Sequence, residues 1–203
     1  MQRGKELDDE VNTRYVPVSC PSIESKRLSL RSLGIPEMEA LLRGDRLTTE
    51  RLLECTIPDD AALDRMPLAA RLDRIRADAA VQPWLLRAMI DRSSRIMIGH
   101  IGFHTAPRPS YLAAVAPDGV ELGYTVYVPF RRRGYATEAV LALMHWAYTQ
   151  HAQRCFVVSV SPQNLASTAM AHALGFTRCG SHIDDDDGPE IIFVKRIDGG
   201  WTG

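Results

Sequence analysis

The residues with the most chemistry to offer lie in one stretch, Tyr127-Val128-Pro129-Phe130-Arg131-Arg132-Arg133-Gly134-Tyr135-Ala136, where a β-rich run meets a helical one. Backbone N–H groups at a helix start lack intrahelical partners and carry the positive end of the helix dipole, so an open turn at that point holds phosphate. Gly134 and Ala136 are small where a ligand must approach, and three arginines add positive charge. The same residues also read as a solvated basic turn. No Gly-Lys-Ser/Thr follows, which excludes a Walker phosphate loop, and the Gly-x-Gly-x-x-Gly dinucleotide fingerprint is missing. The cysteines Cys20, Cys55, Cys155 and Cys179 are widely spaced with no Cys-x-x-Cys pair, so neither a zinc ribbon nor a disulfide framework is indicated. Neither Cys155 nor Cys179 has a fitting base beside it in sequence, which argues against a thiol nucleophile. The run Asp184 to Asp187 reads as a solvated loop or as an attractor for a cationic acceptor.

The elements that must position these residues follow from hydrophobic period. Glu121 to Val128 is rich in β-branched and aromatic residues and is stopped by Pro129, as a strand would be. Ala136 to Gln150 carries Val140, Leu143, Met144 and Ala147 at helical spacing, with Thr137 and Glu138 in the first turn. Cys155 to Val160 is a strand-length apolar run, and Pro162-Gln163-Asn164 opens a second helix that stops at Gly175. Before this block, Lys26 to Arg31 alternates as a half-buried strand, and Ile35 to Arg43 reads as a short helix. Thr48 to Ala80 holds several helical stretches broken at Pro67. Pro83 to Asp91 and Arg95 to His104 form an expected hairpin about Arg92-Ser93-Ser94, while Phe176 to His182 and Glu190 to Arg196 are the last strands.

The chain has 203 residues, 24 Lys plus Arg against 25 Asp plus Glu, and a formal net charge of −1, which favours one domain with a local rather than global anion site. With 45% hydrophobic and 24% charged residues it is an ordinary globular composition, neither disordered nor fibrous. The near-zero charge removes a global attraction to nucleic acid or an anionic membrane. No apolar run reaches the ~20 residues of a membrane span, and Met1 to Glu10 lacks a signal-peptide stretch, so a cytoplasmic protein is expected. Residues 1–22 read as an arm, 23–198 as a single domain and 199–203 as a tail.

Arg131-x-x-Gly134-x-Ala136, preceded by Glu121-Leu122-Gly123-Tyr124 and followed by Thr137-Glu138-Ala139, resembles the acetyl-CoA signature of the GCN5-related N-acetyltransferase (GNAT) superfamily. Asn164-x-x-Ser167 and Leu174-Gly175-Phe176 resemble its later helix, most closely in the RimJ/RimL-like branch that acetylates N-termini of ribosomal proteins. The resemblance implies an α/β (α+β) GNAT fold: a mixed, mostly antiparallel, splayed sheet of six to seven strands flanked by about four helices, in the order β-α-α-β-β-β-α-β-α-β-β.

It further implies that the backbone of Val126, Tyr127 and Val128 pairs with the pantetheine arm. Amides from Arg132 through Arg133, Gly134, Tyr135 and Ala136 to Thr137 would hold the pyrophosphate, with the Arg131 and Arg133 side chains at its rim. Asn164 would touch the cofactor, cap its helix, or do both.

Acetyl transfer needs a free amine. At pH 7 a lysine-like amine costs about 4–5 kcal/mol to deprotonate and an α-amine about 1–1.4 kcal/mol. The resemblance assigns the base to Glu121, whose other reading is an exposed strand-end carboxylate. A tyrosine that many relatives use to protonate the leaving thiolate is Ala171 here, and Ser167 matches a serine near the sulfur, though it also reads as a polar helix residue. The implied activity is transfer from acetyl-CoA to a primary amine, a protein N-terminus or a small molecule, without metal, nucleic acid or membrane, in a monomer or homodimer. The alternative is an acyl-CoA-binding module with little or no turnover.

Overall fold

Apolar residues along the strands build one sheet that is buried on both faces. The computed structural model describes residues 20–184 and 188–201, so the expectations for residues 1–19 and for Asp185 to Asp187 lie outside the described residues. The strands are β1 (Ile23–Glu24), β2 (Leu28–Ser32), β3 (Arg87–Asp91), β4 (Met97–Phe103), β5 (Val120–Val126), β6 (Cys155–Val160), β7 (Thr177–Asp184) and β8 (Gly188–Arg196), ordered β1-β2-β3-β4-β5-β6-β8-β7. All neighbours pair antiparallel except β5 and β6, which pair parallel only through Val120 opposite Phe156 and Glu121 opposite Val157. Beyond Glu121 no further β5–β6 pair forms, and the sheet splays open.

Five α-helices cover the sheet: α1 (Ile35–Leu42), α2 (Arg46–Leu53), α3 (Leu68–Ala77), α4 (Tyr135–His151) and α5 (Leu165–Ala173). On the back face Val140, Leu143, Met144 and Ala147 of α4 pack with Leu122 and Val126 of β5, Phe156 and Val158 of β6 and Ile101 of β4. On the front face Met38, Leu41, Leu53, Leu68, Leu72 and Ile75 of α1 to α3 bury Ala88, Ile90, Met97 and Tyr127.

The mixed, splayed, mostly antiparallel sheet agrees with expectation. Its strand number is eight rather than six to seven, because two-residue β1 pairs with β2 through Ile23 and Glu24. About four helices are expected and the described residues hold five, the Thr48 to Ala80 region supplying α3 after Pro67, its N-cap. Pro83 and Trp84 close a 3-10 turn instead of opening a strand, and β3 starts only at Arg87. The hairpin after β3 is present, and the Asp91 carboxylate fastens it by accepting from the Ser93 and Ser94 amides at 3.1 and 3.0 Å. Among the tail residues, Trp201 lies against His145 and Tyr148 of α4, with ring centroids 5.2 and 5.8 Å away.

Leu143 is fully buried between α4 and the sheet, whereas Leu47 is 79% exposed on α2. Leu143→Ala is expected to cost about 2–5 kcal/mol and Leu47→Ala under about 0.5 kcal/mol in urea unfolding, because only the first opens a cavity.

Candidate active site

The turn after β5 is shaped by backbone sign changes. Arg132 has φ 61° and Gly134 φ 77°, flanking Arg133 in a sequence of alternating turns that gathers successive amides on one concave side. At Gly134 the constraint is conformational rather than spatial, because an added Cβ would meet nothing closer than an Arg27 guanidinium nitrogen at 3.5 Å. Gly134 is the N-cap of α4 and offers no side-chain cap, so the amides of Tyr135, Ala136 and Thr137 begin the helix without intrahelical partners. The carboxylate of Glu138, in this first turn, faces away from the concavity. It accepts from Ser25 Oγ at 2.8 Å and from the backbone N–H and Nε of Arg27, both at 2.6 Å.

A second set of contacts fixes the turn from below. Tyr135 donates its phenol to Asp91 Oδ2 at 2.9 Å, and the Arg27 guanidinium lies over the Tyr135 ring at 4.3 Å. Arg27 also donates to the Arg133 carbonyl at 2.9 Å. Burial would raise the Asp91 carboxyl, but hydrogen bonds from Ser93, Ser94 and Tyr135 outweigh it and hold the group well below the ordinary carboxylate range. Arg27, Ser25 and Asp91 are functional positions that the sequence alone does not reveal, since they lie more than forty residues from the turn that they hold.

The splayed edge of β5 faces the same space. Tyr127 donates its N–H to the Ile98 carbonyl at 2.9 Å, and the His104 N–H donates to the Glu121 carbonyl at 2.8 Å. Odd-numbered residues from 121 to 127 therefore turn their backbone toward β4, while Leu122, Tyr124 and Val126 turn theirs toward the gap. This corrects part of the expected pantetheine edge. Tyr127 is occupied on both sides, its carbonyl accepting from the Phe130 N–H at 2.9 Å, and its side chain is only 2% exposed on the front face. Val128 has already left the strand and starts a 3-10 turn. Val126 faces the gap and Tyr124 joins it, and the Val126 carbonyl accepts from Arg131 Nε at 2.8 Å.

A cavity of about 600 Å³ runs from the turn to α5 and brings together Tyr124, Val126, Arg131, Arg132, Gly134 to Thr137, Asn164 and Ser167. Arg133 is not on its wall; its guanidinium stands over the Phe130 ring at 5.9 Å. Arg65, from the 3-10 turn before α3, lines the cavity unforeseen. Asn164 caps α5, its Oδ1 accepting from the Ser167 N–H at 3.1 Å. Across the gap, the Tyr124 phenol donates to Ser167 Oγ at 2.9 Å. Ala171, at the position where a tyrosine is usual, is 1% exposed in the core beneath. His172 points away and meets the Phe193 ring edge-on.

Glu121 is 5% exposed, not the solvated strand-end carboxylate of the alternative reading. Ser159 Oγ of β6 donates to its Oε1, and His104 Nδ1 lies 3.4 Å from its Oε2. Burial raises the carboxyl, but contacts from His104, Ser159 and Tyr111 prevail and bring it down to about 2. Cys155 is buried and its thiol is pushed up to about 11, chiefly by burial, so it is unsuited as a nucleophile. Among the described residues no cluster of three or more His, Cys, Asp or Glu is placed to hold a metal, and no helix is long and apolar enough to cross a membrane.

A family model described as an acetyltransferase (GNAT) domain matches residues 27–177. No curated protein matches the sequence significantly. Among solved structures, a GnaT-family acetyltransferase from Bordetella pertussis has 19% identity and a TM-score of 0.60, with 86% of this chain and 98% of that chain covered. A ribosomal-protein-S5-alanine acetyltransferase from Vibrio fischeri has 15% identity and a TM-score of 0.58, covering 87% and 97% of the two chains. The RimL ribosomal L7/L12 alpha-N-protein acetyltransferase in complex with coenzyme A has 19% identity and a TM-score of 0.57, covering 87% and 98%. At these identities the likeness is one of fold.

Folding brings the Glu121 carboxyl from 4.5 to about 2, so the unfolded chain takes up the proton first as pH falls. Its contribution to stability is full above 4.5 and is lost on the way down to about 2. Glu121→Gln is expected to flatten the fall of stability across that window in urea unfolding at a series of pH values; curves that fall in parallel with wild type would contradict it.

Proposed function

The chain belongs to the GNAT acetyltransferase family, and from that premise we propose that it transfers the acetyl group of acetyl-CoA to a primary amine by direct attack in a ternary complex. The observation that carries this reading is the cavity that joins the amide-rich turn, the gap-facing edge of β5 and the start of α5. Acetyl-CoA fits what these residues lack. The concave amides from Arg132 to Thr137 suit a pyrophosphate, and Arg131 and Arg132 add charge at its rim. The outward C=O of Tyr124 and N–H of Val126 are an unpaired strand edge suited to the amides of a pantetheine arm, the Val126 carbonyl being taken by Arg131. From Val126 back to Glu121 the strand runs ~17 Å, which puts the reacting end of the donor near Glu121 and the phosphate end at the turn.

The bound donor supplies an acyl group already activated as a thioester. Of the gap-facing amides, that of Tyr124 is nearer Glu121 and is the available donor to the oxygen that gains charge during attack. Ser167 Oγ accepts from Tyr124, which leaves its own proton free to point at the departing sulfur. Tyr124 thus compensates from the strand for the tyrosine missing at position 171. Glu121 gives the acceptor end its negative charge, which favours a cationic amine. A protein N-terminus suits this scheme because an α-amine is easily freed of its proton, and two structural neighbours are named for such substrates; a small-molecule amine is the other member of the class.

A second reading, a binding module with little turnover, draws on buried Ala171, which leaves the usual proton donor absent from α5. Thiol release separates the two readings. A panel of tetrapeptides, spermidine and an aminoglycoside with acetyl-CoA is expected to release free thiol; tight acetyl-CoA binding without release from any of them supports the module. Tyr124→Phe removes one neutral hydrogen bond and is expected to lower kcat about fivefold, and Ser167→Ala by more.

Acetyl-CoA at a hundredfold excess over Kd is expected to stabilise the fold by ~2.7 kcal/mol, read as a rise in Tm. Ala136→Glu puts a carboxylate into the first turn of α4, where the dipole tolerates it but a pyrophosphate does not. The variant should keep the Tm of the free protein and lose the rise with acetyl-CoA. An undiminished rise would place the phosphates elsewhere.

A further inference from the structure

The acceptor end of the gap holds a pair of residues that the family reading does not join. His104 follows β4, seventeen residues before Glu121, and the β4–β5 register sets the two opposite each other through the His104 N–H bond to the Glu121 carbonyl. The imidazole Nδ1 lies 3.4 Å from Glu121 Oε2. Its Nε2 lies over Gly123, so close that a Cβ on Gly123 would meet it at 2.8 Å. The ring therefore runs from the Glu121 carboxylate along the face of β5, and Gly123 makes room for it. The His104 side chain is 40% exposed, whereas that of Glu121 is 7% exposed.

We propose that His104 Nε2 takes the proton from the acceptor amine, and that Glu121 is a positioning residue that acts through His104. The assignment rests on the acetyl-transfer reading above. Three observations carry it. Glu121 is covered: one oxygen accepts from Ser159, the other faces His104, and Tyr111 approaches the same carboxylate, so an incoming amine meets the imidazole first. A carboxylate held by that many donors is a weak proton acceptor at neutral pH, while an imidazole is suited to the task. The carboxylate at Nδ1 selects the tautomer with the proton on Nδ1, and that leaves the Nε2 lone pair free at the end of the ring that lies over Gly123, away from Glu121.

The groups that face the pair are Glu121 of β5, Ser159 of β6, the Tyr111 phenol from the 3-10 turn Ser110–Leu112 and the Arg71 guanidinium of α3. Arg71 is itself lowered by burial, with Arg74 beside it and with Tyr111 and Glu121 opposing the shift. The balance of the step is simple. The amine nitrogen forms a bond to the acetyl carbon, the C–S bond breaks, the proton on nitrogen passes to His104 Nε2, and the thiolate leaves as free thiol with a proton from the Tyr124–Ser167 pair or solvent. His104 returns its proton to water.

The test compares wild type, His104→Gln and Glu121→Gln in thiol release from acetyl-CoA, with an alanyl tetrapeptide and spermidine as acceptors, between about pH 5.5 and 9. Expected for His104→Gln are a loss of about 100-fold in kcat, an unchanged KM for acetyl-CoA and disappearance of the rising limb of rate against pH. Glu121→Gln should be slower yet keep that limb. If His104→Gln keeps the limb and Glu121→Gln loses it, Glu121 takes the proton directly and the proposal is overturned. Should wild type bind acetyl-CoA in calorimetry yet release no thiol with either amine, it is the acetyl-transfer reading that fails. The histidine arrangement is then judged without an acceptor, by long-range ¹H–¹⁵N correlation spectra with His104→Gln for assignment. A neutral imidazole protonated on Nδ1 in wild type, and mixed in Glu121→Gln, supports it; protonation on Nε2 in wild type overturns it.

Discussion

Two residue pairs hold β5 to β6, and past them the strands part. The rest of the site depends on that short parallel contact, Val120 with Phe156 and Glu121 with Val157. A longer ladder would occupy the polar edge of β5 with β6 and close the gap. A missing one would leave the two halves of the sheet joined only through helices. As it is, the strands are locked by Phe156 and Leu122 in a common core with Leu143 and Met144 of α4, while the outward N–H and C=O of Tyr124 and the N–H of Val126 are not taken up by β6. Backbone polar groups at such a position require hydrogen bonds, and an extended ligand with its own amides provides them in the manner of a strand.

The splay creates an edge but does not by itself hold a phosphate. In the proposed function that would fall to the turn held by contacts from α4 to two hairpins: Glu138 takes three hydrogen bonds from Ser25 and Arg27 between β1 and β2, and Tyr135 reaches Asp91 at the end of β3. Exposed ion pairs contribute little to stability, and Arg27 is 39% exposed, so the value of this network lies in position. It turns the one acidic side chain of the first helical turn away from the concavity and leaves the cavity wall to arginines and free amides. A chain with net charge −1 thereby gains a local cationic site.

How much of this is legible in the sequence follows from how local each feature is. The run from β5 through the glycine turn to α4 is continuous, with periodicities that change at Pro129 and Gly134, and its boundaries fall within a few residues of the expected ones. Asn164 as a cap needs only its own helix. Tyr127 shows the limit. Whether its amide faces β4 or the gap is a matter of strand parity, which the pairing to Ile98 decides and which no property of residues 121 to 128 records. The same holds for Tyr124 with Ser167 and for His104 with Glu121, pairs brought together by strand register and helix placement. β1 is two residues long, too short for any period to be read.

Polarity along β5 links these observations to the reaction. At its C-terminal end the turn carries amides and arginines, and near its N-terminal end lies the buried carboxylate of Glu121; in the proposed reaction the first would meet an anion and the second would favour a cation. A long donor with phosphates at one end and a thioester at the other is oriented in only one sense by such a strand. Reversal would set phosphates against Glu121 and an uncharged thioester against Arg131 and Arg132. The buried carboxylate is costly to desolvate and is retained in spite of a core that would accept an apolar residue there. Its partners explain how it persists: Ser159, Tyr111 and His104 converge on it from β6, the 110–112 turn and the end of β4, so the charge ties together three otherwise separate segments.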